Sequence, residues 1–257
     1  MKKAMLIVLA VVILAGLFTG CGSKPAEKKT RMLEAFVQPG YFGDEYTADT
    51  RRNEFDIKNQ TLYMNGTDID VLFIGDSITH YWETQAMFGQ FGTIVNRGIG
   101  GDVAQILAKR FYADSTQLEP KVTVLMIGIN NMWILEDYDM SSPEYQEKED
   151  EIFNTIISSY ESIIQQANNY GQKLIMQSIL PVFGCAPADV LVPKVNAKLK
   201  EMADANNIPF VDYYPDFLSE DGKSINTELA VDGVHPNEKG YAIMIDKLTP
   251  VIKEALK

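Results

Sequence analysis

Four short segments of the chain carry side chains whose types and spacing could do chemistry. They are Gly75-Asp76-Ser77, Asn96-Arg97-Gly98-Ile99-Gly100-Gly101-Asp102, Gly128-Ile129-Asn130-Asn131 and Asp232-Gly233-Val234-His235-Pro236. A serine hydroxyl is a weak nucleophile at neutral pH. It needs a base to take its proton, and the base needs a partner to orient it. Asp232 and His235, three residues apart in a turn stiffened by Pro236, could supply both. The only other histidine, His80, is the competing base. Three residues along a helix from Ser77, its side chain is directed over the helix surface, so lining a cleft or packing suits it better. Three glycines in the second segment let backbone approach a ligand closely, and the Asn130 amide could donate to a developing oxyanion. Taken singly, each feature also has a plain structural use: Ser77 as a helix cap, Asn130 as a partner for loop carbonyls.

These segments need a scaffold, and the hydrophobic pattern describes one. Apolar runs at residues 71–75, 93–96, 122–128, 173–179 and 208–211 read as strands buried on both faces. Helical patterns at 81–91, 103–112, 145–170, 193–206 and 238–256 alternate with them. Strand and helix alternating over such connections predict right-handed crossovers and an α/β three-layer sandwich with a five-stranded parallel sheet. Ligands in such folds collect at the carboxyl ends of the strands, where the first three segments lie.

Composition narrows the function classes. The 257 residues are 46% apolar and 23% charged, ordinary for a packed globular chain. A net charge of -12 argues against a grip on nucleic-acid phosphates. Two histidines and two cysteines, Cys21 and Cys185, are too few for a histidine-rich metal centre or a disulfide framework. G-x-G-x-x-G and G-K-[ST] are both absent, so nucleotide binding lacks a motif. No calcium-loop spacing occurs in the acidic stretch 141–151. Cys185 lacks a cationic sequence neighbour and reads as a small apolar residue.

The amino end reads as an address. Lys2 and Lys3 precede an uncharged apolar run at 5–18, shorter than a bilayer span, and Thr19-Gly20 lead into Cys21. This resembles the signal and lipobox of a bacterial lipoprotein, with Phe18 where leucine is usual. The expected organisation is a signal peptide at 1–20, a lipidated tether at 21–31 beginning with Cys21, an N-terminal extension at 32–69 with one helix near 49–60, and the main domain at 70–257. A chain so acidic would be held at the membrane by lipid rather than by charge, and a plain secreted protein or an uncleaved anchor is the alternative reading of this leader.

Together, Gly-Asp-Ser, Gly-Gly-Asp, Gly-x-Asn and Asp-x-x-His, in this order, resemble the four blocks of the SGNH or GDSL hydrolases. The resemblance covers about residues 70–256. It implies a flavodoxin-like sheet and ester hydrolysis through an acyl-enzyme, with Ser77 as nucleophile, His235 as base then acid, and Asp232 orienting the imidazole. It also implies an oxyanion hole made by the N–H groups of Ser77 and Gly101 and the side chain of Asn130. Two positions depart from the family pattern, Ile78 for leucine and Asn131 for aspartate.

The loop sequences are most similar to the branch holding platelet-activating-factor acetylhydrolases and carbohydrate acetyl esterases, which implies short acyl groups on a small ester, glycan or lipid. Substrate contacts are expected from Asp76, His80, Trp82, Asn131 and Trp133, with Tyr81 and Met132 as further candidates for a wall; core burial is the competing use of the aromatic residues. No metal or organic cofactor is implied. An acyltransferase with the same triad and a non-catalytic glycan- or lipid-binding lipoprotein are the alternative functions. If His235 is the base, activity should rise with pH as its neutral form appears.

Overall fold

The structure, a computed structural model, describes residues 46–257, with side chains from 51 onward except Asn53. The signal, Cys21, the tether and the first part of the extension lie outside the described residues. Five parallel strands, β1 (Val71–Gly75), β2 (Ile94–Gly98), β3 (Val122–Met126), β4 (Leu174–Gln177) and β5 (Phe210–Val211), form one sheet in the order β2-β1-β3-β4-β5. This is the flavodoxin-like order, with its switch point between β1 and β3. The register Val71↔Ile94 and Val71↔Val122 brings Gly75, Gly98 and Met126 level. The segments that follow these three strands therefore emerge side by side.

Alternation along the strands divides the core in two. Leu72, Ile74, Leu125 and Met176 face a cluster filled by the helices α4 (Ala104–Asp114), α5 (Pro143–Asn169) and α6 (Ala186–Ala205). Val71, Phe73, Val122, Val124 and Ile175 face the other, with Phe88, Phe217, Met244, Leu248 and Ile252. Buried β-branched and aromatic side chains on both faces of a parallel sheet give the three layers expected from the sequence. Among the described residues no helix is long and apolar enough to cross a membrane.

Three helices differ from the sequence-based expectation. The helix expected at 81–91 is replaced by α2 (Ser77–Tyr81), α3 (Thr84–Phe88) and a 3-10 turn at Gly89–Phe91. Asp76 starts α2 early by accepting the Ile78 N–H at 3.0 Å, a cap that periodicity alone does not reveal. The break follows from Trp82, whose extended backbone drives the indole into the core, 5.3 Å from the Tyr241 ring in a stack and 5.6 Å from Phe73. Trp82 is therefore core and not a substrate wall. The helix expected from Pro193 begins at Ala186, and Pro193 lies inside it. Ala188, Leu191, Val192 and Val195 are buried on both sides of the proline, and that packing outweighs its missing N–H. Cys185, buried beside the start of α6, has its thiol pKa raised by burial.

The extension contributes a longer helix than expected, α1 (Tyr46–Met64). Its Phe55 and Asn59 are buried. Asn59 donates to Asp114 at 3.2 Å and accepts from Arg97 at 2.9 Å, and Arg52 pairs with Asp114 at 3.1 Å, so α1 is joined to α4 and β2 by buried polar bonds. A short helix, α7 (Tyr214–Phe217), and the long C-terminal helix α8 (Glu238–Ala255) complete the elements.

Candidate active site

Ser77 is the first residue of α2, at the carboxyl edge of β1, and is 8% exposed. Its Oγ lies 2.8 Å from His235 Nε2, and His235 Nδ1 lies 2.7 Å from Asp232 Oδ2. The 232–236 turn is built for this. Asp232 Oδ1 accepts the N–H groups of Val234 and His235 at 3.0 and 2.9 Å, the Val231 N–H donates to the His235 carbonyl at 2.8 Å, and Gly233 takes a φ of 84°. Phe183, on the rim after β4, donates its N–H to the Gly233 carbonyl at 2.8 Å. Burial works to raise the Asp232 pKa, but the hydrogen bonds from the His235 and Val234 N–H groups and from the imidazole outweigh it and hold the carboxyl at about 2. Asp232 is thus ionised throughout the neutral range. That fixes Nδ1 as the protonated ring nitrogen and leaves Nε2 to accept from the serine hydroxyl.

The glycine loop and Asn130 line the same cleft as Ser77 and His235. Gly98 must be glycine, since a β-carbon there would lie 2.3 Å from the His80 backbone nitrogen. Gly101 has a φ of 79°, a conformation that favours glycine. The Asn130 side chain donates to the Asp102 carbonyl at 2.9 Å and accepts from Trp133 Nε1 at 3.3 Å. One of its two N–H groups is left over for a ligand. Trp133 therefore acts as the residue that fixes the amide orientation of Asn130. In Trp133→Phe the indole donor is lost, and kcat should fall about 3- to 10-fold with a smaller change in KM, read from steady-state rates on a chromogenic ester.

Two expected contacts are structural. Asn131 is buried; its side chain accepts the Ala104 N–H at 3.0 Å and donates to Gln105 at 2.7 Å, capping α4 from outside. Asp76 is buried beneath Ser77 as the α2 cap. Met132 is fully buried.

Burial is the main reason the Asp76 pKa is raised to about 7, against the hydrogen bond from Ile78. A raised carboxyl favours the fold at acid pH, and its contribution is lost as pH rises from 3.8 towards about 7. Asp76→Asn keeps an acceptor for the cap and removes the titration. Across that window the melting temperature of the parent should fall relative to that of the variant; a constant offset between the two would count against this assignment.

Among the described residues, a cleft of about 610 Å³ above Ser77 has walls that include Arg51, Glu54, His80, Tyr81, Asn130 and His235. His80 lines the cleft while His235 takes the serine hydroxyl, and burial followed by the Arg51 charge lowers the His80 pKa. Sequence reasoning missed Arg51 and Glu54. They lie in the stretch expected to be helical, but no motif marks a helix outside the sheet as a cleft wall.

It also missed Arg110, which is fully buried. Arg110 donates to the Gly75 and Arg97 carbonyls at 3.1 and 3.0 Å and meets Asp102 at 2.7 Å and Asp114 at 3.0 Å. Burial alone would lower its pKa, and Asp102 and Asp114 outweigh burial and raise it. One cation therefore ties the ends of β1 and β2 to the glycine loop.

Comparison with known proteins identifies the family. The model of the GDSL-like Lipase/Acylhydrolase family matches residues 73–243. The chain is 26% identical over 209 residues to an acetylxylan esterase of Geobacillus stearothermophilus, spanning 70% of this chain and 91% of that protein. A crystal structure of a GDSL-like lipase from Bacteroides thetaiotaomicron superposes with a TM-score of 0.65 at 29% identity, covering 79% of this chain and 97% of that one. A substituted form of an acetyl-xylooligosaccharide esterase from Geobacillus gives a TM-score of 0.55 at 25% identity, covering 72% and 94%. With the sheet order, the four loop segments and the family match in agreement, the chain belongs to the GDSL-like lipase/acylhydrolase family and is a carboxylic ester hydrolase.

Proposed function

We propose that this hydrolase removes short acyl groups, acetyl above all, from a carbohydrate, with Ser77, His235 and Asp232 as its catalytic residues. The observation that carries the reading is the unbroken chain Asp232 to His235 to Ser77, with contacts of 2.7 and 2.8 Å. Ser77 Oγ attacks the ester carbonyl carbon as its proton passes to His235 Nε2. The carbonyl oxygen becomes an oxyanion facing the N–H groups of Ser77 and Gly101 and the remaining Asn130 amide hydrogen. Neither backbone N–H has a hydrogen-bond partner among the described residues, so both are available to it. The intermediate collapses as His235 returns the proton to the departing alkoxide, leaving acyl-Ser77. Water, deprotonated by the same nitrogen, then releases the acid and frees the serine.

The carbohydrate preference is supported by the acetylxylan esterase relative and by the Arg51, Glu54 and Asn130 side chains in the cleft wall, which can hydrogen-bond the hydroxyls of an alcohol. Export with anchoring through lipidated Cys21 is proposed from the leader sequence alone; incorporation of labelled palmitate that disappears in Cys21→Ala tests it. The enzymatic reading is tested with 4-nitrophenyl acetate, butyrate and octanoate, together with mass spectrometry of the chain after a fluorophosphonate. Expected are turnover that falls steeply with acyl length and an adduct on Ser77. Octanoate turned over as fast as acetate would sink the short-acyl preference, and an adduct elsewhere would sink the assigned nucleophile.

A further inference from the structure

We propose that α1 and Tyr81 form the subsite for the sugar ring that bears the ester, an inference that rests on the carbohydrate reading above. The geometry first locates the alcohol half of the substrate. The leaving alkoxide must receive its proton from His235 Nε2, so the alcohol lies beside that ring. Tyr81 is what stands there: its ring centroid is 5.2 Å from that of His235, and it is 58% exposed. An exposed aromatic ring held between two imidazoles in tilted contacts, the other being His80 at 5.0 Å, offers apolar surface to the C–H side of a pyranose.

Beyond Tyr81 and His80 the wall is supplied by α1. Arg51 and Glu54 are one turn apart on the same face of that helix, and both line the cleft that holds Ser77. Arg51 is held in place on two sides. Its Nε donates to the Gly98 carbonyl at 3.0 Å, and its guanidinium carbon lies 5.3 Å from the centre of the Phe55 ring. Glu54 Oε2 accepts from Lys58 at 3.0 Å, so the positioned guanidinium and the second carboxylate oxygen, one turn apart, present donors and an acceptor to sugar hydroxyls, where charge-assisted bonds are strong. An aliphatic or phospholipid tail would have to desolvate both charges at this end without replacing their hydrogen bonds. Helix α1 lies outside residues 73–243, so this wall is added to the part of the chain that carries the family match.

The experiment compares kcat/KM on an acetylated methyl xylopyranoside with kcat/KM on 4-nitrophenyl acetate, for the full chain and for Arg51→Ala and Glu54→Ala. The ratio of the two is independent of the fraction of active protein. Removing a hydrogen bond to a charged group should lower the ratio about 10- to 100-fold in each variant, chiefly through KM on the sugar ester. A ratio unchanged in both variants, with the parent active on the sugar ester, overturns the subsite alone. A parent that turns over 4-nitrophenyl acetate but no acetylated pyranoside overturns the carbohydrate reading and the subsite with it.

Discussion

Replacing Ser77 with alanine should lower kcat on a short-chain ester by about 10⁴- to 10⁶-fold, and His235→Ala should cost about as much. The double variant should be no slower than the worse single one, because the two groups act in one proton transfer and each is useless without the other. The 2.8 Å contact between His235 Nε2 and Ser77 Oγ is the structural ground for expecting this non-additivity. Asp232→Asn should also lose several orders of magnitude. An amide in that place cannot hold Nδ1 protonated in the same way, nor stabilise the imidazolium that forms during attack. Because the Asp232 carboxyl is held at about 2, its protonation cannot produce a loss of activity near neutral pH in the parent enzyme. Initial rates normalised by fluorophosphonate titration check the set. Multiplicative losses in the double variant would mean that Ser77 and His235 do not act as a unit.

Arg110→Met should be the most destabilising single change near the site, by about 3–5 kcal/mol, since removing one partner of a buried ion pair strands the charge of the other. Here the charge stranded is that of Asp102, which has no exposed side-chain surface, while Asp114 keeps its pair with Arg52. Urea unfolding followed by tryptophan fluorescence reads the loss, and an unaltered midpoint would show that the ionic cluster does not hold the fold. Arg110→Lys separates stability from positioning. Lysine keeps the charge, but a single ammonium cannot replace a fork that reaches Gly75, Arg97, Asp102 and Asp114 together. The folded lysine variant should therefore retain KM within about threefold and lose about tenfold or more in kcat, because the glycine loop that presents the Gly101 N–H is no longer fixed.

The legible parts of this chain are those written in local pattern. Strand β1 was readable because VLFIG is apolar throughout and closes on a glycine, and the same holds for most of β3. The association of Ser77 with Asp232 and His235, 158 residues apart for the serine and histidine, was readable only through block order. No periodicity carries that distance. The broken helix after Ser77 was not legible, because Trp82 enters the core only when α8 brings Tyr241 to stack on it. Trp82 and Trp133 look alike in sequence, yet one is core and the other orients Asn130. Arg51 and Arg52 make the contrast sharper still: adjacent in sequence, one lines the cleft and the other is buried against Asp114.

What the sequence determined by itself is the inventory and its order: five buried strands, the crossover helices between them, and four loop segments carrying serine, glycine, asparagine and an aspartate-histidine pair. These follow from short-range physics, from apolar period, from turn residues and from the chemistry each side chain can perform. The tertiary structure decided which histidine meets the serine, which aromatic side chains face the cleft, and that a helix from the N-terminal extension supplies one of its walls. Those outcomes depend on burial and on long-range contacts. A side chain that is apolar and hydrogen-bonding at once, like tryptophan or arginine, is assigned to core or cleft only by what packs against it.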